Sequence, residues 1–161
     1  MRTEKARRYG NKFMPIPALN ADGFLPPGIY DSTLAEVRER FGSFQISDQR
    51  RRLFARLEEL FAAMQRSGLF VALLVDGSFV TGKSAPNDID LVAVLLPGHD
   101  FERDLPMSEY ALVSRAMLRR RFAFDVLIAE QDSQLCKTYV DFFSRVRDNP
   151  GVRKGILRIN L

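Results

Sequence analysis

Leu69-Phe70-Val71-Ala72-Leu73-Leu74-Val75 is an unbroken apolar run of seven residues, closed by Gly68 on one side and Asp76-Gly77 on the other. So short a run with no polar face reads as a fully buried strand. It is also the longest apolar stretch in the chain, far below the ~20 residues of a membrane-spanning helix. Ile89–Leu96 is a second apolar, β-branched run, stopped by Pro97-Gly98. Phe122–Ile128 reads as a third strand and Gly155–Leu161 as a last edge strand or docked tail.

The segments between follow a different period. Thr33-Leu34-Ala35-Glu36 is a capping box, and Gly42 stops the helix it opens. After Ser47, Leu53, Phe54, Leu57, Leu60, Phe61 and Met64 recur at three and four until Gly68, which predicts an amphipathic helix. Ser108–Arg120 and Asp132–Arg145 read as two more helices, the second with Leu135, Tyr139, Val140 and Phe143 on one stripe; Phe142 and Phe143 both read as core. Leu25–Tyr30 reads as a turn feeding the first helix, and Asn149-Pro150-Gly151 as a turn. The order α-α-β-β-α-β-α-(β) predicts an α+β fold, with helices packed on a small mixed β-sheet.

At 161 residues the chain has the size of one domain. Residues 1–28, basic and rich in Pro and Gly, read as an irregular arm; residues 29–161 read as the folded domain. The charge is +4, from 24 basic and 20 acidic residues, a modest surplus compatible with phosphate-bearing partners. The single cysteine, Cys136, excludes an internal disulfide and reads as a small core residue. With no signal-like apolar stretch behind Met1–Tyr9, these features predict a cytoplasmic protein with no membrane partner. The Arg50-Arg51-Arg52 run, unfavourably placed in a helix's first turn, reads as a solvated face or a partner of Asp48, and Lys154 reads as surface.

The chemistry concentrates between the first two strands. Gly77–Ser84 matches the phosphate-loop pattern G-x-x-x-x-G-K-[ST]. That loop needs a helix starting at its Lys, whereas Pro86-Asn87 and a β-type run follow here. The second pattern is Gly77-Ser78, nine residues, then Asp88-Ile89-Asp90-Leu91. Gly-Ser after a strand lets backbone and hydroxyl approach phosphate closely. Asp-x-Asp on a strand puts both carboxylates on one face, where their repulsion calls for a cation and their oxygens select Mg²⁺ or Mn²⁺. Asp125, within Phe122–Ile128, offers a third carboxylate; the alternative is a salt bridge to Arg115 or Arg119.

This spacing resembles the signature of the polymerase-beta-like nucleotidyltransferase superfamily. Leu25-Pro26-Pro27-Gly28-Ile29-Tyr30, Asp76–Thr81 with Lys83, Pro86–Asp90 and Lys154-Gly155-Ile156 together look like a family of small bacterial nucleotidyltransferase-like proteins. The likeness covers roughly residues 22–161. It implies a nucleotidyltransferase-like fold and metal-dependent transfer of a nucleoside monophosphate from an NTP, ATP by default, to an acceptor hydroxyl. Asp88, Asp90 and Asp125 would be catalytic and hold Mg²⁺ or Mn²⁺, while Gly77, Ser78 and Lys83 would seat the triphosphate. Lys83 takes the place of an Arg often found in such loops; its other reading is a solvated loop residue. Relatives in toxin–antitoxin and phage-defence systems imply a cognate toxin or antitoxin partner. The absence of Trp and of an aromatic-studded basic groove favours a protein or small-molecule acceptor over RNA. The rival readings are a non-catalytic binding or antitoxin module on the same fold and a P-loop NTPase.

Overall fold

A computed structural model describes residues 16–42 and 48–161. In chain order the elements are β1 (Gly28–Ser32), α1 (Leu34–Val37), α2 (Gln49–Ser67), β2 (Phe70–Asp76), β3 (Asp90–Leu95), α3 (Met107–Val113), α4 (Arg115–Phe122), β4 (Val126–Glu130), α5 (Gln134–Phe143), β5 (Arg145–Val146), β6 (Asn149–Arg153) and β7 (Gly155–Asn160). The class is α+β, with a mixed five-stranded sheet in the order β1-β7-β2-β3-β4 and a separate β5-β6 hairpin. The β1–β7 and β3–β4 pairs are parallel; β7–β2 and β2–β3 are antiparallel.

Alternation along the buried strands divides the sheet into two covered faces. Leu73, Val75, Leu91, Ala93, Leu95 and Leu157 pack with Leu53, Leu57, Leu60 and Met64 of α2 and Leu118 and Phe122 of α4. Ala72, Leu74, Val92, Val94 and Ile156 face the other way, against Phe143 of α5, with Cys136 partly buried beside them. A strand covered on both sides has no position for a polar residue, which explains the continuous apolar run after Gly68. Gly68 ends α2 in the left-handed conformation at φ 66°. Thr33 and Glu36 form the expected capping box, and α1 widens into a π turn over Arg38–Gly42. Ser47, read as the start of the second helix, lies outside the described residues, as do residues 1–15 of the arm.

Several expectations need correction. The Leu25–Tyr30 segment does not feed a helix as a turn: Gly28–Ser32 is strand β1, paired in parallel with Gly155–Ile159 of β7. The last strand is not an edge, because β1 and β2 flank it. The 108–120 helix is two helices broken at Ser114, whose φ of −100° and ψ of 112° are extended and whose side chain caps α4. Phe122 and Ala123 end α4, with Ala123 at φ 57°, so the third strand starts only at Val126 and Asp125 stands just before it. Asn149-Pro150-Gly151 belongs to strand β6 rather than to a turn. Phe142, expected in the core, is 67% exposed, since α5 buries only one narrow stripe.

Candidate active site

Where β2 runs out, Asp76 gives way to Gly77, whose φ of 84° and ψ of −171° favour a residue without a side chain. A Cβ there would also come within 2.9 Å of the Asp90 backbone nitrogen. Glycine therefore lets the following 3₁₀ turn, Ser78–Val80, leave the sheet directly beside the start of β3. Ser78 closes the loop. Its Oγ accepts from the Asn87 N–H at 3.2 Å and donates to the Asp88 carbonyl at 3.4 Å. Thr81 Oγ1 donates to the Ser78 carbonyl at 2.6 Å and accepts from the Lys83 N–H at 3.2 Å.

Beneath this loop lies Arg50, the largest fully buried side chain in the protein's described part. Its Nη1 donates to the carbonyls of Phe41 (3.1 Å) and Phe79 (2.7 Å), and its Nη2 to Thr81 (2.8 Å). Nε and Nη2 both reach the Lys83 carbonyl. The guanidinium also lies 5.4 Å from the centre of the Phe79 ring. Burial pushes its pKa down to about 10, which still leaves it charged at neutral pH. Arg50 is thus no solvated helix residue: it threads the loop carbonyls onto one cation. Its position against the helix dipole was the signal in the sequence, since an Arg there needs another reason to stay.

The loop forms one wall of a cleft of about 900 Å³. Gly77, Ser78, Lys83, Asp88 and Asp90 all line it, facing Ala21–Phe24 and the Val146–Asp148 end of the hairpin. Lys83 is exposed on the rim. Asp88 Oδ1 accepts from the Ile89 N–H at 2.7 Å. Burial raises the Asp88 pKa, with the Asp90 charge adding to the rise and the Asp125 charge contributing further. The Asp90 charge thus reaches Asp88, although only Asp90 lies in β3: the strand starts there, and Asp88 stands in the loop before it rather than on the strand as the Asp-x-Asp reading had it.

Asp125 stands apart. The β3–β4 register pairs Leu91 with Val126, so Asp125 follows Asp90 at the same end of the sheet. Its side chain, however, is 46% exposed and its Oδ1 accepts from Arg115 at 2.8 Å, with Arg119 at 3.1 Å. The Arg115 hydrogen bond is the main cause that holds its pKa below the ordinary carboxylate value. Among the described residues, no group of three or more His, Cys, Asp or Glu side chains gathers for a metal ion. The structure brings Asp88 and Asp90 together and commits Asp125 to arginines, the salt-bridge alternative seen in the sequence.

Two further residues were not anticipated. Asp76 pairs directly opposite Asp90 in the β2–β3 register. It is 4% exposed, and its Oδ2 accepts from Lys154 Nζ at 2.7 Å. Burial raises its pKa to about 7 against the pull of Lys154, and the Asp90 charge pushes the same way. Lys154, expected on the surface, has a side chain only 12% exposed and lines the cleft. A carboxylate closing a buried apolar run was a signal for Asp76. Lys154 was marked only by its place in the Lys154-Gly155-Ile156 motif; its burial was not legible, because its partner is 78 positions away.

The residues after Ser84 run into β3 and not into a helix, so the loop lacks the helix N-terminus that a P-loop uses. Fold and cleft together define a mixed α+β domain with an acidic pair and a buried Lys–Asp pair at one end of its sheet. The chain belongs to DUF6932, a family of unknown function, whose model matches residues 17–160. No curated protein and no solved structure matches it.

Proposed function

We propose that the protein is a metal-dependent nucleotidyltransferase that moves a nucleoside monophosphate from an NTP, ATP by default, to an acceptor hydroxyl. The supporting observation is that one cleft collects Gly77, Ser78, Asp88 and Asp90, the residues of the sequence motif. In the reaction the acceptor oxygen bonds to the α-phosphorus, the bond from that phosphorus to the bridging oxygen breaks, and pyrophosphate departs. The donor set suits a hard divalent cation: Asp88 and Asp90 would hold Mg²⁺ or Mn²⁺, which neutralises phosphate charge. Asp125 would join them by exchanging Arg115 and Arg119, and would accept the acceptor's proton. The Gly77–Ser78 turn seats the phosphates, and Lys83 reaches them from the rim. Phe24 is the one aromatic side chain lining the cleft among the described residues. That poverty of stacking surface favours a protein or small hydroxylated acceptor over RNA.

A second reading has its own observation. With Asp125 tied to Arg115 and Arg119, the fold would serve as a non-catalytic nucleotide-binding or antitoxin module. Labelling with α-³²P ATP and Mg²⁺ in lysate, followed by protease or RNase, separates the two. Protease-sensitive label lost in Asp90→Asn supports the enzyme and a protein target. No label from any NTP, with Mn²⁺ affinity unchanged by Asp90→Asn, removes the catalytic reading.

A further inference from the structure

The cleft is lined by three cations among the described residues, Lys83, Arg147 and Lys154. Lys83 and Arg147 are exposed. Lys154 is held from both ends. At its backbone, its own N–H donates to the Ser144 carbonyl at 2.8 Å and the next N–H, of Gly155, donates to the Leu25 carbonyl at 2.9 Å. Gly155 itself is packed so closely that a Cβ would lie 2.4 Å from the Pro26 carbonyl oxygen. At its tip, the ammonium is fixed by Asp76.

As a structural device this pair is poor. An ammonium has three N–H donors, and among the described residues Lys154 uses one, to Asp76. Asp76 Oδ1 is buried with no hydrogen-bond partner among the described residues. Asp76 also sits opposite a second carboxylate, Asp90. Buried ion pairs of this kind are commonly replaced by apolar residues without loss of stability. The arrangement makes sense as a preorganised cation that lines a cleft, with donors beyond the one that Asp76 takes and with its freedom already removed before a ligand arrives.

We propose that Lys154 contacts the outer phosphates of the nucleotide and that Asp76 is the positioning residue that holds its ammonium in the cleft; this rests on the nucleotidyltransferase reading for the identity of the ligand. Titration calorimetry with ATP and AMP in Mg²⁺ tests it on wild type, Lys154→Met, Lys154→Arg and Asp76→Asn/Lys154→Met. Loss of a hydrogen bond to a charged phosphate lowers ATP affinity by roughly 10- to 100-fold. AMP, which lacks the outer phosphates, should change far less, so the preference for ATP over AMP collapses. The double variant leaves no isolated buried charge. It should therefore melt near wild type yet keep the weakened ATP binding, and Lys154→Arg should restore part of it. A double variant that binds ATP like wild type, or an equal loss for ATP and AMP, overturns the proposal. Wild type that binds no NTP overturns this proposal and the nucleotidyltransferase reading together. Normal ATP binding in the double variant, alongside label transfer that Asp90→Asn abolishes, overturns only the role of Lys154.

Discussion

Arg50→Met is the sharpest probe of how the loop is built. Methionine keeps the length and the helix propensity of the position but removes every donor. Four carbonyls lose their shared cation: Phe41, Phe79, Thr81 and Lys83. The bonds to Phe41 and Phe79 are fully buried, and an acceptor left unpaired there costs about 1–3 kcal/mol. The Thr81 and Lys83 bonds are only part-buried, so water compensates much of their loss. Relief of the guanidinium's own desolvation offsets a share. The net destabilisation should be about 3 kcal/mol, which for a chain of this size lowers Tm by roughly 6–12 °C. Urea unfolding and calorimetry give the number, and amide exchange across residues 78–84 locates it. Arg50→Lys should recover less than half, since one ammonium cannot reach four carbonyls. A loss below ~1 kcal/mol with unchanged exchange in the loop would refute this account, because two buried carbonyls cannot go unpaired at so small a cost.

Four other outcomes follow from the same geometry. Asp76, with its pKa raised to about 7 from 3.8, keeps in the folded state a proton that the unfolded chain has released. Stability should therefore fall as pH rises from about 4 to about 7 and level off above, by up to ~1.4 kcal/mol per pH unit; Asp76→Asn in EDTA should remove that slope, and matching curves would contradict it. Gly77→Ala combines a strained φ with a 2.9 Å approach to Asp90, and should cost about 2 kcal/mol or more in denaturant unfolding. Arg115→Ala/Arg119→Ala breaks two exposed bridges, each worth less than ~1 kcal/mol, while Mn²⁺ binding by calorimetry should tighten as Asp125 is released; unchanged or weaker binding would place Asp125 outside the metal site. Ser78→Ala should impair NTP binding more than Ser84→Ala, because Ser78 ties both ends of the loop; the reverse ranking would restore the phosphate-loop reading.

Neighbours along the chain encode the local elements of this fold. The apolar period of α2, the buried runs of β2 and β3, the Thr33 capping box and the Gly68 stop were all legible, because spacing and capping act within a few residues. So was the gathering of Gly77, Ser78, Asp88 and Asp90, since one turn and one strand position them. Strand β1 was not legible: five residues next to a Pro pair carry no period of their own and become a strand only by pairing with Gly155–Ile159. The same holds for the interior place of β7, which its local pattern left open between an edge and a docked tail. Asp125 was read as a metal ligand or as a partner of Arg115 or Arg119, and the choice could not be made locally; the end of α4 at Ala123 brings it to both arginines. Arg50 and Lys154 looked like surface charges, because their burial depends on partners about 30 and 78 positions away. Charge is placed by what surrounds it in space, so the packing of distant segments settles which of these cations are buried and which carbonyls and carboxylates they hold.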